Sequence, residues 1–134
     1  MPFWMQRTRL SDGTYSKGAR ESVPEDDATF LRGAQVADEH GVVQFTTIYP
    51  GWYRGRAVHI HAKVHIDREN VLTTQLYFDD DVTDEVYRHP PYDARPNRDT
   101  RNADDTIIHY ENIIPIEAME EGYSAYANLA VRVA

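Results

Sequence analysis

Between residues 56 and 66 every second side chain is polar. Val58, Ile60, Ala62, Val64 and Ile66 fall on one face of an extended chain, and His59, His61, Lys63 and His65 on the other. That pattern predicts a β-strand. Leu72, Thr74, Leu76 and Phe78 alternate with Thr73, Gln75 and Tyr77, which predicts a second strand after a turn at residues 67–70. Earlier in the chain, residues 29–35 and 42–48 read as strands around a turn at Asp38-Glu39-His40-Gly41. Acidic residues at 79–81 suit a helix start. They predict a short helix over 83–88, stopped by Pro90-Pro91. A long polar loop follows over 92–105. Residues 106–110, 113–118 and 123–133 read as further strands, with Pro115 confining the second of these to a sheet edge. Short strands with one brief helix predict an all-β fold, a sandwich of mainly antiparallel strands.

Composition narrows the classes. The 134 residues suit a single domain, 1–134, with one core, and 41% are hydrophobic. The net charge of −8 and the lack of any Lys/Arg run argue against a nucleic-acid surface. Cysteine is absent, which excludes disulfides, zinc thiolates and a cysteine nucleophile. No apolar run reaches the length of a membrane span. The first residues, Met1 to Arg7, lack the apolar stretch of a signal peptide, so a soluble protein is expected, and its compartment stays open.

The chemistry begins with His59 and His61. Neighbours on one face of a strand lie about 6.5–7 Å apart, so two imidazoles can converge on one ion. The plain alternative is a half-buried strand that shows polar residues to solvent. A common oxygen-activating iron site adds a carboxylate to two histidines, but residues 49–62 contain no Asp or Glu. The nearby oxygen donors are Tyr49 and Tyr53, and tyrosinate suits a hard trivalent cation such as Fe(III). The acidic run at 79–81 lacks the spacing and glycine of a calcium loop.

Taken together, Pro50-Gly51-Trp52-Tyr53, Arg56, His59-Ile60-His61 and Leu72-Thr73-Thr74-Gln75 resemble the intradiol ring-cleavage dioxygenases. These are non-haem iron(III) enzymes that open catechols. The resemblance extends to Asp12-Gly13-Thr14-Tyr15-Ser16, to Phe30-Leu31-Arg32-Gly33, and to the stretch from Asp81 to Tyr92 before Asn102-Ala103-Asp104. It implies four iron ligands: Tyr15, Tyr53, His59 and His61. It implies that Arg56 faces the substrate, that Gln75 lies just behind the ligands, and that Tyr53 leaves the metal when a catechol binds. The partners implied are a small catechol-type substrate and O2, and the product is of the muconate type. Tyr49 is read as structural, His65 as a residue facing solvent or a loop, and Trp52 as either a pocket wall or packing for the turn.

Two features keep an alternative open. The chain is short before Asp12, where family members carry strands and part of the pocket wall, and Met5 replaces a usual polar residue. A non-catalytic module of the same fold, binding metal or an aromatic, would fit that shortening. An uncovered sheet edge would also suit a homo-oligomer.

Overall fold

The computed structural model describes residues 2–7 and 32–132. The readings made for residues 8–31, including Tyr15, lie outside them. Among the described residues are six strands and one α-helix: β1 (Pro2–Arg7), β2 (Arg32–Val36), β3 (His59–Ile66), β4 (Glu69–Tyr77), α1 (Asp80–Val86), β5 (Ile116–Met119) and β6 (Gly122–Ala125). A four-stranded antiparallel sheet has the order β2-β1-β3-β4, and β5 and β6 form a separate antiparallel pair. The architecture is all-β with one short helix. No helix among the described residues is long and apolar enough to cross a membrane.

The hairpin of β3 and β4 positions the site. Its two-residue connection, Asp67 and Arg68, has φ of 52° and 68°. Two left-handed residues in a row match the right-handed twist of the flanking strands. The turn sets a register in which His59 faces Tyr77, His61 faces Gln75 and Lys63 faces Thr73. Near the turn the register shifts: Val64 pairs with Leu72 but His65 with Asn70, leaving Val71 as an extra residue. The shift lies beyond the histidine pair and leaves its pairing intact.

The even-numbered side chains of β3 enter the core as the alternation requires. Val58, Ile60 and Phe78 form its centre, with Tyr49, Trp52, Tyr87, Ile114 and Ile116 packed around them. His59 is as buried as these, at 2% exposure, so the polar face of β3 is covered there as well.

Among the described residues two predicted strands are absent and the closing one ends early. Residues 42–48 are not a strand, and Val42 and Ile48 are exposed. The Gln35 amide donates to Gln44 O at 2.5 Å and accepts from Gln44 N at 3.4 Å, so a side chain holds the groups that a ladder would use. Residues 106–110 are not a strand either. Asp105 Oδ1 accepts from the backbone N–H of Ile107 at 2.8 Å and of Ile108 at 2.9 Å, turning the chain, and a 3-10 turn follows at Tyr110–Asn112. The closing strand ends at Ala125, eight residues before the predicted limit of 133.

The helix starts three residues earlier than predicted, because Asp79 caps it by accepting from Asp81 N at 2.9 Å. From α1, Asp80 and Asp84 tie down the long loop. Arg98 donates to Asp80 at 3.1 Å and to Asp84 at 2.6 Å, and Arg101 holds Asp84 through two nitrogens. Asn102 Nδ2 donates to Phe78 O at 2.7 Å. The loop thus returns in a fixed path to Asp105.

Candidate metal centre

The site is built from a tight turn and the face of the hairpin that β3 and β4 share. Tyr53 and Arg56 bridge across the turn, with Arg56 N donating to Tyr53 O at 3.3 Å. Gly55 lies between them at φ +81° and its N–H donates to Asp99 Oδ1 at 3.0 Å. The turn directs both side chains toward β3.

Tyr53 Oη lies 3.2 Å from His59 Nε2, and His59 Nε2 lies 3.0 Å from His61 Nε2. Two donors bound to one ion at about 2.1 Å and at right angles sit about 3 Å apart, so the spacing fits a shared cation. The protonation pattern fits as well. His59 Nδ1 lies 2.7 Å from Ala57 O. A carbonyl can only accept, so Nδ1 carries the proton and Nε2 presents its lone pair. Burial holds this imidazole neutral, with its pKa lowered to about 3. Among the described residues no group of three or more His, Cys, Asp or Glu could hold a metal. The third donor here is a tyrosine, which favours a hard, oxygen-preferring ion. The residues present fit Fe(III).

Arg56 lies beside these donors. Its Nη1 donates to Tyr53 Oη at 3.3 Å and its Nε to Asp105 Oδ2 at 3.0 Å; its Nη2 donates to Tyr77 Oη at 3.0 Å and to Gln75 Oε1. A guanidinium has five N–H groups. Four are used in these bonds, and the second N–H on Nη1 has no partner among the described residues. Burial works against the charge on Arg56, but Tyr53, Asp105 and Tyr77 outweigh it and hold its pKa above the usual value. The cation persists at any working pH.

Gln75 Oε1 also accepts from Tyr77 Oη at 2.7 Å. With two donors on Oε1, the amide has one sensible orientation, and Nε2 remains a donor with no partner among the described residues. Burial pushes the Tyr77 hydroxyl up, so it stays protonated and keeps donating. Gln75 and Tyr77 also line a cavity of about 170 Å³ with Thr73, Thr74, Ile107, His109 and Asn112.

The structure therefore brings Tyr53, Arg56, His59, His61 and Gln75 into one cluster. His65 stands apart, past the register shift. Tyr49 is part of the core: its hydroxyl bonds Thr83 Oγ1 at 2.6 Å and its ring meets Phe78 and Tyr87. Burial pushes that hydroxyl up, which suits a phenol and not a ligand. Trp52 packs the turn against the long loop. Its Nε1 donates to Arg95 O at 3.0 Å, and the Arg95 guanidinium stacks 4.2 Å from its ring centre.

Sequence reasoning missed Tyr77 and Asp105. Tyr77 carried a signal, since it alternates onto the face of Gln75 and pairs with His59. Asp105 carried none, because it meets Arg56 from 49 positions away.

Solved structures share this architecture. The intradiol ring-cleavage dioxygenase from Tetranychus urticae matches with a TM-score of 0.86 at 29% identity, over 97% of this chain and 70% of its own. The dioxygenase Tetur07g02040 matches at 0.84 and 30% identity over the same shares. The dioxygenase domain of a dioxygenase carbohydrate-binding fusion from the cellulolytic bacterium Streptomyces sp. SirexAA-E matches at 0.66 and 25% identity, over 99% of this chain and 68% of its own. No protein-family model and no curated protein matches the chain. The chain belongs to the intradiol ring-cleavage dioxygenase family.

Proposed function

We propose that the protein is a non-haem iron(III) intradiol dioxygenase built on a single β-sandwich domain. It opens a catechol-type ring between the two hydroxylated carbons, adding both atoms of O2 to give a muconate-type product. The observation that carries the reading is the convergence of Tyr53 Oη, His59 Nε2 and His61 Nε2 beside the Arg56 cation. Tyr15 completes the proposed ligand set. Bound Fe(III) would supply the Lewis acidity that deprotonates the catechol and the electronic coupling that lets it react with O2.

The chain's own residues would do the rest. Tyr53 Oη is the base that takes one phenolic proton as the substrate enters. Arg56 Nη1, 3.3 Å away, lowers the cost of a negative oxygen there before the proton arrives. The remaining N–H on Nη1 opposes negative charge that builds on the ring oxygens during reaction, in a site where the Arg56 side chain is only 12% exposed. Gln75 Nε2 offers a neutral donor from the same side. The bond to Ala57 O orients the His59 lone pair, and neither His59 nor His61 transfers a proton.

The test is oxygen uptake with catechol, with the product identified, for wild type and Arg56→Ala. Losing an electrostatic group of this kind costs on the order of 10²–10³ in rate. Arg56→Ala should keep its metal and still bind catechol while turning over that much more slowly. Wild type that binds catechol and consumes no oxygen would leave a non-catalytic binding module.

A further inference from the structure

Asp105 lies outside the residues that would touch metal or substrate, yet it is the most completely engaged carboxylate near them. Its side chain is fully buried, at 0% exposure. Oδ2 accepts from Arg56 Nε at 3.0 Å and from Ala57 N at 2.7 Å. Oδ1 accepts from Ile107 N at 2.8 Å and from Ile108 N at 2.9 Å. A buried carboxylate is costly unless its lone pairs are met, and here four donors meet them.

The arrangement has a direction. Arg56 could reach Tyr53, Gln75 and Tyr77 with any of its three nitrogens, as far as hydrogen-bond count goes. With Nε pinned to Asp105, the plane of the guanidinium is fixed. Nη2 then faces Gln75 and Tyr77, and Nη1 faces Tyr53 with one N–H left over. The Ala57 bond ties the same carboxylate to the backbone next to Arg56, two residues before His59. On its other side the carboxylate holds the segment that carries Ile107 and His109 into the wall of the neighbouring cavity.

We infer that Asp105 is a positioning residue for the proposed ring cleavage: it orients Arg56 so that one Nη1 N–H is left for the substrate, and it joins that arginine to the cavity wall. The inference rests on the function proposed above. Asp105 touches neither substrate nor metal and acts only through Arg56.

The experiment is a double-mutant cycle of Asp105→Asn and Arg56→Ala, read in three ways on iron-loaded protein. These are oxygen uptake with catechol, catechol affinity from the visible spectrum without O2, and the urea midpoint. Asparagine keeps one acceptor for the two isoleucine N–H groups but turns a donor toward Arg56 Nε and Ala57 N. Alone, Asp105→Asn should lower kcat by about 10- to 100-fold, as losing a supporting group does, with KM and catechol affinity changed less than about threefold. In the Arg56→Ala background the same change should cost less than about twofold in kcat, because nothing remains to orient. Asp105→Glu should recover part of the loss. Equal costs in both backgrounds, or a kcat loss that only tracks the urea midpoint, overturn the inference and leave the function standing. Wild type that neither binds nor consumes catechol overturns the function and takes this inference with it.

Discussion

Gly55 and Gly41 make a matched pair for testing how the turn serves the site. Gly55 has φ +81° and Gly41 φ +76°, and a Cβ added at either would meet nothing within 4 Å. Alanine at each position therefore costs backbone strain alone. A left-handed L-residue costs about 1–2 kcal/mol, and the stiffer unfolded chain returns about 0.4–1 kcal/mol. The net loss should be about 1 kcal/mol at both sites, a factor of about 5 in the folding equilibrium. The functional costs should differ. The turn at Gly41 is closed by Asp38 far along the chain from the donors. The turn at Gly55 sets the bridge between Tyr53 and Arg56. A shift of about 1 Å in a group that contacts the reaction can cost about 10²-fold. Urea unfolding and oxygen uptake on both variants form the assay. Gly41→Ala should lose stability and keep its rate, while Gly55→Ala should lose both. Two variants with the same rate, or a loss of several kcal/mol at Gly55 alone, would refute the assignment of the turn.

Tyr77→Phe removes a hydroxyl that donates to Gln75 and accepts from Arg56, in a residue with 1% exposure. It should cost about 1–3 kcal/mol by urea unfolding with iron content unchanged; loss of iron would place Tyr77 among the ligands. Acid should act through the carboxylates that are depressed in the fold. Arg101 and Arg98 hold the Asp84 pKa down to about 2. Burial of Asp105 favours its protonated form, but the N–H groups of Ala57 and Ile107 and the Arg56 cation outweigh it and hold this carboxyl below the usual range as well. A folded pKa below the unfolded value of about 4 gives stability that is present above pH 4 and lost as pH falls through the folded value. His59, buried neutral with its pKa lowered to about 3, adds a loss that begins earlier, as pH falls below its unfolded value of about 6.5. The urea midpoint should therefore fall from about pH 6.5 and more steeply below about pH 4, and Asp84→Asn should flatten part of the fall below about pH 4; an unchanged slope there would count against the Asp84 contribution.

The hairpin that carries the site was legible because period-two patterning is a local property. His59 and His61 share a face by spacing alone, and Gln75 follows from the next strand. The turn around Tyr53 was legible only as a motif, since its geometry depends on the φ of Gly55. The strands expected at 42–48 and 106–110 fail for one reason. In each, a polar side chain, Gln35 or Asp105, takes backbone groups that the pattern of apolar residues assigns to a ladder. Such capture is decided by tertiary approach and leaves no period. The same holds for the link between Asp105 and Arg56. Tyr49 shows the converse: a tyrosine near the histidines in sequence is drawn into the core by Thr83 and Phe78.

The donor set of Tyr53, His59 and His61 is tested most directly by metal analysis with a visible spectrum, on wild type and on Tyr53→Phe. Wild type should carry iron, and tyrosinate on Fe(III) should give a charge-transfer band that colours the protein reddish brown. Tyr53→Phe should weaken or shift that band. Colourless wild type that holds zinc after expression with ample iron, or a band untouched by Tyr53→Phe, would contradict the account.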